Sequence, residues 1–181
     1  CNLNKIGSGS YPIDVYSEKQ YGADIKFVAS KIDSDGNFNS STSGETSLGQ
    51  NFSDSEESTL DELFKNKLGQ KILDKWSEIL QGKYEKPIKE FKLKSIYYFI
   101  FVRGGNNIFL SIAKVNKNNI KNLKASKLTE KSLFVTNFID EKYGNSKIYK
   151  SKKRMELRVN PKNLQKDNLF INWSFDDLKP S

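Results

Sequence analysis

At 181 residues and 20.7 kDa, the chain suits one domain with at most a flexible arm. Its 30 Lys and Arg against 22 Asp and Glu leave a formal charge of +8, and its 36% hydrophobic residues, led by 12 Phe, 8 Tyr and 2 Trp, support a modest core. Histidine is absent, the single cysteine is Cys1, and no run nears the roughly 20 apolar residues of a membrane-spanning helix. These absences exclude disulfide scaffolds, Cys/His zinc sites and Ser-His-Asp or Cys-His nucleophilic pairs.

Cys1 carries the first expectation. An ordinary start codon supplies Met, so a leading cysteine implies a cut upstream, and bacteria cut immediately before a cysteine whose sulfur then receives diacylglycerol. Residues 1–10 are small and polar, cannot build a core, and read as a flexible tether. Acyl chains contribute about 0.8 kcal/mol per buried methylene, so two or three of them hold a domain on a membrane.

Tyr11-Pro12-Ile13-Asp14-Val15-Tyr16 alternates apolar and polar side chains and predicts a short edge strand, and Asp24 to Ala29 predicts a second. From Ser34 to Ser58 the only large apolar residues are Phe38, Leu48 and Phe52, which predicts a mobile polar loop. Thr59-Leu60-Asp61-Glu62 has the form of a capping box. Behind it Leu60, Leu63, Phe64, Leu68, Ile72, Trp76, Ile79 and Leu80 recur at helical spacing. The pattern predicts one helix from the Thr59 cap to Gln81, stopped by Gly82.

Strands follow from Phe91 onward. Ile96 to Val102 is apolar on both faces, as a central strand covered from both sides would be. Gly104-Gly105-Asn106-Asn107 signals a hairpin into Ile108 to Ala113. Asn116 to Lys127 is a Lys/Asn connection with a helical turn near Ile120 and Leu123. Leu133 to Phe138, Ile148 to Val159 and Leu169 to Phe175 read as further strands. The sum is α+β: an antiparallel β-sheet packed against one long amphipathic helix, as a single domain over 11–181.

The strongest charge feature is the segment Lys147 to Arg158. Read as one strand, it puts Lys150, Lys152, Arg154 and Arg158 on one face, with Lys153 beside them, and Tyr149, Met155, Leu157 and Val159 toward the core. Such a stripe attracts polyanions such as glycosaminoglycans, or a protein partner; it also serves simply as a solvated edge that blocks aggregation. Aromatics do not interleave with it as a single-strand nucleic-acid platform requires, so nucleic acid is not expected. Asp33-Ser34-Asp35-Gly36-Asn37 has the opening of a calcium loop, but its glycine comes two positions early and Gly44 stands where the twelfth-position glutamate belongs. It reads as a turn. No metal, cofactor or phosphate-cradling loop is expected.

Lys outnumbers Arg 27 to 3, Asn occurs 18 times and Ala 4 times, a bias that follows AT-rich codons. Together with Cys1, the tether and the strand–helix–strand order, this composition resembles the surface lipoproteins of Borrelia-type spirochaetes, among them the outer surface protein E-like and S2 antigen families. AT-rich Firmicutes and mollicutes make lipoproteins of similar texture. The resemblance implies a fatty-acylated Cys1, a position on the outer surface of the cell, and binding of a host macromolecule such as a complement regulator or matrix component. Two other readings stay open: a lipoprotein facing the periplasm that assists envelope assembly or transport, and an enzyme working with carboxylates alone.

Overall fold

The computed structural model describes residues 3–6, 12–39, 45–52, 54 and 59–174. In chain order its elements are β1 (Asn4–Lys5), β2 (Val15–Ser17), β3 (Tyr21–Ala29), β4 (Glu45–Asn51), α1 (Leu60–Lys65), α2 (Gly69–Glu90), β5 (Ser95–Gly104), β6 (Asn107–Lys114), α3 (Lys117–Lys121), β7 (Lys124–Leu128), β8 (Ser132–Thr136), β9 (Gly144–Tyr149), β10 (Arg154–Val159), α4 (Pro161–Lys166) and β11 (Ile171–Ser174). The chain is mixed α and β and rich in antiparallel pairing, but the strands make two sheets where one was expected. A six-stranded sheet runs β1-β2-β3-β5-β6-β11, and a five-stranded antiparallel sheet runs β4-β10-β9-β8-β7. Within the first, β3 and β5 are parallel neighbours, Tyr21 opposite Ser95 through Ala29 opposite Arg103. A parallel pair needs a long crossover; β4, α1 and α2 supply it.

The expected single helix over 59–81 is divided. Thr59 and Glu62 do form the capping box of α1, but α1 ends at Lys65. Lys67 then takes a left-handed φ of 56°, its amide donating to the Phe64 carbonyl and the Leu68 amide to the Leu63 carbonyl. That is a Schellman stop. α2 then runs straight through Gly82, which is exposed, because Lys83, Tyr84 and Pro87 continue its buried side after Ile72, Leu73, Trp76 and Leu80. Lys92 at φ 53° and Asn168 at φ 55° close α2 and α4 with the same geometry, the Leu93 amide on the Ile88 carbonyl and the Leu169 amide on the Leu164 carbonyl. The helix stops of this protein fall on Lys and Asn, where a glycine would have signalled them.

One core joins both sheets. The inner face of the six-stranded sheet gives Val28, Ile96, Tyr98, Ile100, Val102 and Phe109; α2 gives Trp76, Leu80 and Tyr84; the five-stranded sheet gives Leu48, Val135, Met155 and Leu157. Tyr98 of β5 reaches the Phe138 ring beyond β8, centroids 6.0 Å apart. Three further expectations change here. Asn4 and Lys5, assigned to the tether, pair with Tyr16 and Val15. Glu45 to Asn51, assigned to the mobile loop, forms β4, because Phe38, Leu48 and Phe52 are all buried and anchor the segment. Lys147 to Arg158 is a hairpin of β9 and β10 with its turn at 150–153. Cys1, most of the tether and Phe175 lie outside the described residues.

Candidate functional site

The basic residues marked in the sequence come together at the turn and second strand of the β9–β10 hairpin, and the structure supplies each with a partner. Lys150 pairs with Asp61 at 3.2 Å, Lys152 with Glu156 at 3.3 Å, Lys153 with Asp54, and Arg158 Nε lies 2.9 Å from Glu45 Oε1. Arg154 Nε donates to Asn51 Oδ1 at 3.1 Å. Tyr149 sits among them. Its hydroxyl donates to Glu45 at 2.6 Å, and Lys147 and Lys152 stand over its ring at 4.6 and 4.7 Å. Burial and then the Glu45 carboxylate push its phenol up to about 12. Carboxylates from β4, from position 54 and from the first turn of α1 thus face a stripe that alternation alone would leave cationic, and opposite charges at this spacing cancel much of the field it projects.

A second polar cluster escapes sequence reading. Lys83 of α2 extends between the sheets, its side chain 2% exposed, to Asp24 Oδ2 of β3 at 3.1 Å and to the Leu48 carbonyl of β4. Lys26 holds the other Asp24 oxygen at 2.6 Å. Beside them the Tyr84 and Tyr98 hydroxyls hydrogen-bond to each other. Burial pulls the Lys83 ammonium down from its ordinary range against the opposing pull of Asp24, and pushes the Tyr84 and Tyr98 phenols up. Among the described residues the two buried carboxylates, Asp24 on β3 and Glu156 on β10, thus each face lysine, and they belong to different sheets.

Among the described residues the most exposed apolar surface is the outer face of the six-stranded sheet. Register places Ile25 beside Phe99, Phe27 beside Phe101, Phe99 beside Ile112, Phe101 beside Leu110, and Ile108 beside Trp173. Cross-strand neighbours share a face, so these side chains form one continuous field. Phe27 is 54% exposed, Ile112 50% and Ile171 56%; Phe99, Phe101, Leu110 and Trp173 are half-buried. Charged residues on these strand positions are Lys5, Arg103 and Lys114, all basic and all near a strand end or sheet edge. β5 therefore has one covered face instead of the two its composition implied.

Asp33 to Asn37 forms a closed turn: Asp33 Oδ1 accepts from the Asp35 and Asn37 amides at 3.0 and 2.8 Å, and Gly36 takes φ 81°. Among the described residues no three His, Cys, Asp or Glu side chains are grouped to hold a metal, and no helix is long and apolar enough to cross a membrane. Comparison of the chain with protein-family models, with curated proteins and with solved structures finds no match.

Proposed function

We propose that this chain is a lipid-anchored bacterial surface protein that acts by binding a host macromolecule, with Cys1 as the acylated residue and the outer face of the six-stranded sheet as the contact surface. The observation supporting a binding role is that open face. Water-soluble monomers rarely leave more than a few hundred Å² of contiguous apolar surface uncovered, and larger patches mark interaction sites. Aromatic side chains backed by a rigid sheet lose little entropy when a partner covers them. The neutralised hairpin is a weaker contact surface, because a polyanion would have to displace four carboxylates from its lysines and arginine.

The test is a double substitution, Phe27→Glu with Ile112→Glu. Both side chains are at least half exposed, so the fold should persist by circular dichroism while capture of serum and matrix proteins falls by about tenfold or more. Undiminished capture by the double variant rejects the outer face as the binding surface. The anchorage is read separately, by mass spectrometry of the N-terminal peptide of the natural product and by protease shaving of intact cells. An unacylated peptide, or protection of the domain from external protease, rejects the surface-lipoprotein reading.

A further inference from the structure

We infer that the cleft between the C-terminal half of α2 and the ends of β5 and β6 is a binding site for an amphipathic organic anion, an apolar chain or ring bearing a phosphate, sulfate or carboxylate head. The cleft measures about 350 Å³ and is lined by Tyr84, Ile88, Ser95, Ile96, Val115, Asn116 and three lysines, Lys94, Lys114 and Lys117. That volume lies at the lower end of the range for small-ligand pockets. Its chemistry is divided: Ile88, Ile96, Val115 and the buried Tyr84 ring are its apolar floor, and its rim is lined by Lys94, Lys117 and Lys114, the last at the end of β6 beside the outer face. No carboxylate lines it.

The contrast with the hairpin gives the cleft its meaning. Every basic residue marked there has a partner, whereas among the described residues Lys94, Lys114 and Lys117 have none. Three like charges around one concavity repel each other and raise the local positive potential, and an oxyanion entering it relieves both effects. Asn116 lines the same cleft. Its Oδ1 already accepts from the Asn118 and Asn119 amides at 2.9 and 3.3 Å, which commits that oxygen to capping α3 and leaves Nδ2 as the end available to a ligand. An inorganic anion would use the rim alone. An alkyl or aryl ester would also cover the floor and so bind more tightly than inorganic phosphate.

The inference stands apart from the outer-face reading, and the test keeps them apart. Octyl phosphate, below its micellar concentration, is titrated into the soluble domain and followed by amide chemical shifts, with inorganic phosphate and octanol as separate arms. Saturable shifts at Ser95, Ile96, Val115, Asn116 and Lys117 are expected with octyl phosphate, weaker ones with phosphate, and still weaker ones with octanol. The double variant Lys94→Ala with Lys117→Ala, which leaves the outer face untouched, should bind octyl phosphate about tenfold less tightly, since two exposed charge contacts are lost together. Lys152→Ala on the hairpin should bind as the native chain does. Ile88→Trp, which fills the floor and keeps every lysine, should lose the advantage of octyl phosphate over inorganic phosphate. Shifts centred on Ile25, Phe27 and Ile112, or affinity indifferent to the lysine pair, or octanol binding as tightly as octyl phosphate, would overturn the assignment.

Discussion

Tyr84 and Tyr98 meet hydroxyl to hydroxyl inside the core, with Asp24 and Lys83 nearby, and this small group contributes to the alkaline behaviour of the protein, with the more exposed Tyr149 adding to it in the same direction. Above the ordinary tyrosine value of 10.0, the unfolded chain sheds its phenolic protons while the folded chain keeps those of Tyr84 and Tyr98. The folded state then binds more protons, so stability falls as pH rises past that point. Lys83 acts with the opposite sign below 10.5, where the unfolded chain takes up its proton more readily and its contribution grows with pH. Stability should therefore hold into the alkaline range and drop beyond the tyrosine value. The two buried phenols should ionise in a cooperative step that coincides with loss of far-ultraviolet circular dichroism. Smooth ionisation of all 8 tyrosines with the fold intact would contradict this. Asp24 is the counter-ion of both Lys83 and Lys26, so Asp24→Ala strands two ammonium groups in the interior. Breaking a buried pair in this way costs about 3–5 kcal/mol, to be measured by urea unfolding. A loss below 1 kcal/mol would mean that water reaches the cluster.

At the scale of elements, helix ends show where local sequence speaks and where it is overruled. The capping box at Thr59 and Glu62 forms as its residues require, with the Glu62 amide donating to Thr59 Oγ1 at 3.2 Å and the Thr59 amide to Glu62 Oε2 at 2.9 Å. Gly82 invites a stop, yet α2 continues, because the next buried residues outweigh a propensity cost of about 1 kcal/mol. A Cβ at Gly82 would meet nothing within 4 Å. Gly82→Ala should therefore stabilise the protein by up to about 1 kcal/mol. At Lys67 and Lys92 the opposite change is favourable: both carry positive φ, and Lys67→Gly or Lys92→Gly should stabilise by about 1 kcal/mol through release of that strain. Thermal midpoints of the three variants check the pair of signs together. A destabilising Gly82→Ala would mean that the helix bends or opens there. β4 teaches the same lesson: Leu48 and Phe52 lie in a stretch whose average composition reads as disordered, and two well-placed anchors are enough to bring it onto β10.

At the scale of the whole molecule, the sequence by itself determined the mixed α and β character, the β5–β6 hairpin with its turn at Gly105-Asn106, the start of α1, and the cationic total. Each of these depends on neighbours in the chain: alternation along a strand, a cap three residues from its partner, a count of charges. The tertiary structure decided which strands share a sheet, which face of β5 is covered, and where charge remains unmatched. Lys150, Lys152, Lys153, Arg154 and Arg158 form a stripe on paper, and Asp61, Glu156, Asp54, Asn51 and Glu45 meet them in space, four of those five from earlier in the chain than β9. Lys94, Lys114 and Lys117 give no signal as a run, because the antiparallel pairing of β5 with β6 and the start of α3 bring them around one cleft, which α2 lines from its other side. Charge is counted along the chain, but the electric field depends on distance, and distances between remote residues exist only once the two sheets have closed on their common core.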